Sequence, residues 1–86
     1  MKQRGSIVYF WDGVDAVQSE IIDVLPGGMF IVQYAEREHL GVLFNQARKN
    51  APELFDTRRE CLIHWRDFYL GLAASLARRI ELLSVV

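Results

Sequence analysis

Residues 57–83 read TRRECLIHWRDFYLGLAASLARRIELL, with no proline anywhere after them. Thr57-Arg58-Arg59-Glu60 fits the S/T-x-x-E capping box, in which the Thr hydroxyl accepts from the Glu60 amide while the Glu60 carboxylate reaches back. The spacing predicts one amphipathic helix of about 26 residues, roughly 39 Å long at 1.5 Å per residue. At about 100° per residue, Cys61, Leu62, Trp65, Phe68, Tyr69, Leu72, Ala73, Leu76, Ile80 and Leu83 share an arc of roughly 140°, the face expected on a sheet. A polar stripe follows, made of Glu60, His64, Asp67, Gly71, Ser75 and Arg78.

Beyond that stripe lies a second apolar row, Ile63, Leu70, Ala74 and Ala77. One apolar face suffices to fold a domain, so a second asks for another surface. Another element of the same chain is one cover. A partner helix, most simply that of a second subunit, is the other and is preferred. Gly71 costs about 1 kcal/mol against Ala in mid-helix. Together with Ala74 and Ser75 it leaves room for a close backbone approach. The expected partner interface is therefore Ile63, Leu70, Gly71, Ala74 and Ala77.

Upstream of the helix, the periodicity changes to that of strands. Residues 5–11 contain Ile7-Val8-Tyr9-Phe10-Trp11, all strand formers. Asp12-Gly13 is a hairpin signal, because Gly accepts positive φ. A second strand is expected over 14–25, bulged near Gln18-Ser19. Pro26-Gly27-Gly28 marks the next turn, and 29–35 gives a third strand. Residues 37–49 carry Leu40, Leu43, Phe44 and Ala47 at i, i+3, i+4 and i+7, with Glu36 and Glu38 early and Arg48 and Lys49 late. That pattern favours a short helix with Asn50 as its left-handed stop. A fourth strand over 40–45 is the rival, since Gly41 weakens the helix. The expected fold is a single α+β domain over residues 1–86: a three-stranded antiparallel meander packed by a short helix and a long C-terminal one.

Composition bounds the function. The chain has 86 residues, 51% of them hydrophobic and 24% charged, with a net charge of −1. A domain this small buries only about 60% of its unfolded surface, so spare apolar surface suits a neighbour. Residues 1–35 carry a net of −2 and residues 36–86 a net of +1, so neither half has the basic excess of a dedicated nucleic-acid binder. The lone Cys61 permits no internal disulfide, which fits a reducing compartment. Lys2 and Arg4 ahead of Ile7–Trp11 do not make a signal peptide, because Asp12 ends the apolar run. No stretch approaches the ~18 uninterrupted apolar residues of a membrane span. A soluble, cytoplasmic protein is expected.

Candidates for chemistry are few. Glu60, His64 and Asp67 recur at i, i+4 and i+7 and share a helix face. A zinc site needs three or four ligands, so His39 or Cys61 would have to complete it, and Cys61 points about 100° from Glu60. The preferred account is a solvated face with a Glu60–His64 pair. Cys61 and His64, at i and i+3, resemble a thiolate–imidazole pair, but Cys61 lies at the core edge and no Gly-rich loop stands beside it. Asp12 and Asp15 read as turn residues. Gly27-Gly28 lacks the phosphate-loop pattern. No enzyme and no cofactor is expected. Arg48-Lys49 and Arg58-Arg59 flank one loop and form the candidate nucleic-acid patch, with Tyr9, Phe10, Trp11, Phe30 and Tyr34 as candidate stacking aromatics.

Val24-Leu25-Pro26-Gly27-Gly28-Met29-Phe30-x-Val32, followed later by Arg48-Lys49-Asn50, locally resembles the S1-like OB-fold of bacterial translation initiation factor one. The resemblance covers about a third of the chain, with shortened spacing and a long helix in place of the closing strands. It adds weight to nucleic-acid binding as the alternative function. The leading expectation is a non-enzymatic interaction module that self-associates, as a dimer, through its C-terminal helix.

Overall fold

The computed structural model describes residues 2–38 and 41–84. Its elements are β1 (Ile7–Trp11), β2 (Ala16–Leu25), β3 (Met29–Glu38), β4 (Gly41–Asn50), a 3-10 turn (Ala51–Glu53) and α1 (Arg58–Ser84). The four strands form one antiparallel meander in the order β1-β2-β3-β4. The class is α+β, with a sheet one strand larger than expected.

That extra strand replaces the helix expected over 37–49. From Met29↔Asn50 to Glu38↔Gly41, β4 pairs with β3 through ten successive residues without a bulge. An isolated helix there would have to form from a short segment containing Gly41, whereas β3 offers a ready edge of backbone donors and acceptors. Tertiary pairing wins over a helical spacing that rested on four apolar residues, and one of them, Leu40, lies outside the described residues. Asn50 is extended (φ −82°, ψ 155°) rather than left-handed, and its N–H donates to the Glu53 carboxylate at 2.7 Å.

The first turn is also longer than a two-residue hairpin. Trp11 pairs with Ala16, so Asp12, Gly13, Val14 and Asp15 make the loop. The Asp12 carboxylate accepts from the Val14 and Asp15 amides, both at 2.8 Å, and Gly13 takes φ 104°, which only glycine adopts cheaply. The bulge in β2 lies between Ile21 and Asp23 instead of at Gln18-Ser19. The meander also differs from the five-stranded Greek-key barrel of an OB-fold.

The core lies on one face of the sheet: Val8 and Phe10 from β1, Ile21 from β2, Phe30 and Val32 from β3, and Leu54 from the segment after the 3-10 turn. Leu54 arrives there because the chain leaves β4 at one edge and returns to the other. Phe55 then bonds the outer edge of β1, the Tyr9 N–H donating to the Phe55 carbonyl at 2.8 Å and the Phe55 N–H to the Tyr9 carbonyl at 2.9 Å. Buried Ser19 is satisfied by donating to the Val8 carbonyl at 3.1 Å.

The Thr57 half of the expected capping box caps α1, with the Glu60 N–H donating to Thr57 Oγ1 at 3.1 Å. It packs against β1 and β2. The 27-residue helix is about 40 Å long, far longer than the sheet edge it meets. The radius of gyration is 17.1 Å, against about 12 Å for a compact chain of this length. The helix accounts for the difference by running past the sheet.

Candidate self-association surface

α1 is anchored at its start. Cys61 is completely buried, and Trp65 stacks on Trp11 with centroids 5.8 Å apart and planes 16° from parallel. Tyr69 leans on the same Trp11 ring at 6.2 Å, Phe68 meets Trp65 edge-on at 5.2 Å, and His64 tilts against Phe55 at 5.1 Å. Arg58 closes the anchor with two 2.8 Å bonds to the Asp15 carboxylate in the first turn. Apolar rings of this size account for most of the docking, because area removed from water scales the gain. Trp11 Nε1 is enclosed by the stack and has no hydrogen-bond partner among the described residues.

After this anchor the helix runs out into solvent. From Phe68 to Leu83 every side chain of α1 is exposed. The arc expected to lie on the sheet meets it at Cys61, Trp65 and Tyr69. Leu72, Leu76 and Leu83 continue the same arc into open space, with Leu76 48% and Leu83 77% exposed. The cause is length: β1 and β2 end before the second half of the helix begins. The second apolar row is bare as well. Ile63 is half-buried, but Leu70 (61% exposed), Gly71, Ala74 and Ala77 are uncovered. β4, which a cover from within the chain would have to involve, is on the far edge of the sheet from α1.

Charge is arranged around this surface. Residues 68–77 include no charged side chain, and they are bounded by Arg66-Asp67 on one side and Arg78-Arg79 on the other. Arg66 bonds its neighbour Asp67 at 2.9 Å. Near the start of α1, Arg58, Arg59 and Arg66 surround a depression of about 580 Å³ whose remaining lining is Leu62 and Ile63. A second depression of about 470 Å³ lies on the sheet, from Ile7 and Gln18 across to Ala35 and Phe44. Phe44 is 68% exposed there, and Val42 and Leu43 are exposed beside it.

The other sequence candidates are dispersed. Arg48 and Lys49 are consecutive on β4 and so point to opposite faces. Lys49 Nζ sits over the Phe10 ring at 4.8 Å, while Arg58 is engaged by Asp15. Phe10 and Phe30 are core residues, and Trp11 lies under Trp65. Among the described residues no group of three His, Cys, Asp or Glu side chains is placed to hold a metal ion. His64 faces aromatic rings and Asp67 pairs with Arg66; His39 lies outside the described residues. Burial pushes the Cys61 thiol up, the Asp15 carboxylate adds in the same direction and the Arg58 guanidinium opposes it. The sulfur is therefore held as a thiol, the opposite of what nucleophilic chemistry requires. No helix among the described residues is long and apolar enough to cross a membrane.

Sequence reasoning missed the anchor itself. Trp11 reads as part of a strand, and nothing in the spacing of Trp11 and Phe55 points to α1. The apolar pair Leu54-Phe55 between Glu53 and Asp56 was the available signal. The chain matches no known protein family, no curated protein and no solved structure.

Proposed function

We propose that the protein is a small non-enzymatic interaction module that self-associates through α1. One observation carries this: fourteen consecutive residues, Leu70 to Leu83, continue past the anchor as an ordered helix and are all exposed, although Leu70, Leu72, Leu76 and Leu83 are among them. A helix that is apolar on more than one side belongs inside an assembly, and an exposed apolar patch of this kind marks an interaction surface. A second copy supplies the missing cover at no additional genetic cost and with closed symmetry. The sheet, with its own core, acts as the platform that starts the helix and orients it.

Light scattering across a concentration series tests the proposal. A dimer or larger closed oligomer is expected, and a clean monomer at high concentration would overturn it. Leu70→Glu is expected to weaken association by tenfold or more, on the order of 1.4 kcal/mol or above, while strand content is unchanged. Leu70 is 61% exposed and lies outside the core cluster of the sheet, so unaltered mass and stability in that variant would remove the Ile63–Leu70–Ala77 row from the interface.

A further inference from the structure

We infer that two copies pair with their α1 helices antiparallel, the two-fold axis falling beside Gly71–Ala74; this rests on the self-association proposed above and adds its geometry. The inference comes from the distribution of charge. The uncharged stretch 68–77 is centred between residues 72 and 73. Reversing one helix about that point lays the stretch on its own copy and brings Asp67 level with Arg78 of the partner subunit, twice by symmetry. Asp67 and Arg78 are eleven residues apart and project within about 20° of each other around the helix. They also flank the Leu70–Ala74–Ala77 row. In an antiparallel pair, side chains on the same flank face one another, so both pairs close together. A parallel pair holds each residue level with its own copy and brings neither pair together.

A second feature fits the same arrangement independently. In that register the last turn of the partner's helix, with Glu81, Leu82 and Leu83, comes level with residues 62–64. The depression at that height has Leu62 and Ile63 as its floor and Arg58, Arg59 and Arg66 around it. Glu81 projects within about 20° of Leu70 around the helix, and an acidic side chain with the negative end of a helix dipole is what a basic-rimmed hollow accommodates. The Leu70–Ala77 side of each exposed second half is then covered by the first half of the other helix. The two sheets stand at opposite ends of the pair, where their bulk does not compete.

Native-condition cysteine trapping and a charge exchange test the geometry, after mass has been measured. Cys61 is completely buried and stays out of the trapping reaction. Ala74→Cys, close to the axis, should yield a covalent dimer, whereas Ala77→Cys, about 13 Å along the helix from its own copy, should not. Asp67→Arg and Arg78→Asp should each weaken association by about threefold to tenfold, the range of two exposed ion pairs reversed in sign. The double variant should recover most of that loss, and only an arrangement that brings residue 67 to residue 78 of the other copy predicts the recovery. A dimer by mass that is trapped at both positions, or that shows no recovery, would overturn the antiparallel geometry and leave self-association standing. A monomer would overturn both.

Discussion

Asp12 shows how one side chain sets a turn. Its carboxylate accepts amide hydrogens from Asp15 and Val14, and those two bonds, Asp15 first, hold its pKa below the ordinary aspartate value. A depressed folded-state pKa contributes stability that is present above the unfolded value, about 3.9, and is lost as pH falls through the folded one. The Val14 and Asp15 amide resonances should therefore titrate together at a pH below 3.9, and Asp12→Ala should abolish that titration without altering the rest of the sheet. Cys61 is the counterpart in the anchor. Buried, and with its thiol pKa raised, it should resist alkylating reagents in the native protein and react promptly once the chain is unfolded. Rapid native labelling would show that the start of α1 opens readily.

At the scale of elements, α1 depends on a small contact. Trp65 and Tyr69 dock it on the Trp11 ring beside buried Cys61, and from Leu70 to Leu83 its residues are exposed. Trp65→Ala should cost about 2 kcal/mol, less than the ~3–5 kcal/mol of a fully buried tryptophan because the side chain is only partly buried. The loss should register in near-ultraviolet dichroism of the Trp11–Trp65 stack while the sheet persists. In hydrogen exchange on dilute protein, amides near Trp65 should be protected longer than those near Leu76, since the latter belong to a helix without tertiary support. The strands show the opposite dependence. β4 exists because β3 needs a partner, and its own apolar residues Val42, Leu43 and Phe44 remain exposed.

For the molecule as a whole, stability and assembly are linked. A dimer buries apolar surface that the single chain leaves in water, so mass action raises the apparent stability with concentration. The midpoint of thermal unfolding should climb across a hundredfold dilution series for the native chain and stay flat for Leu70→Glu. An elongated protomer, 55 Å in its longest direction, is the geometric consequence of putting a helix of about 40 Å beside a four-stranded sheet.

Local chemistry determined much of this protein by itself. The Thr57 cap, the uninterrupted run after it, the β-branched and aromatic strands and the glycine turns each depend on neighbours within a few residues, and all are present. The second apolar row was legible too, because helical periodicity alone places Ile63, Leu70, Ala74 and Ala77 on one line. Only the tertiary structure decided what depends on distant partners. Residues 41–50 became a strand because β3 presented an open edge, which outweighs four helically spaced side chains. Leu54 and Phe55 became core and closure because the chain had to return across the sheet to β1. The arc from Leu72 to Leu83, read as core, lies in open space because the sheet is shorter than the helix, and a helical wheel carries no information about length. The helix is as regular as its sequence implies, but its cover within the chain ends at the Trp11 anchor.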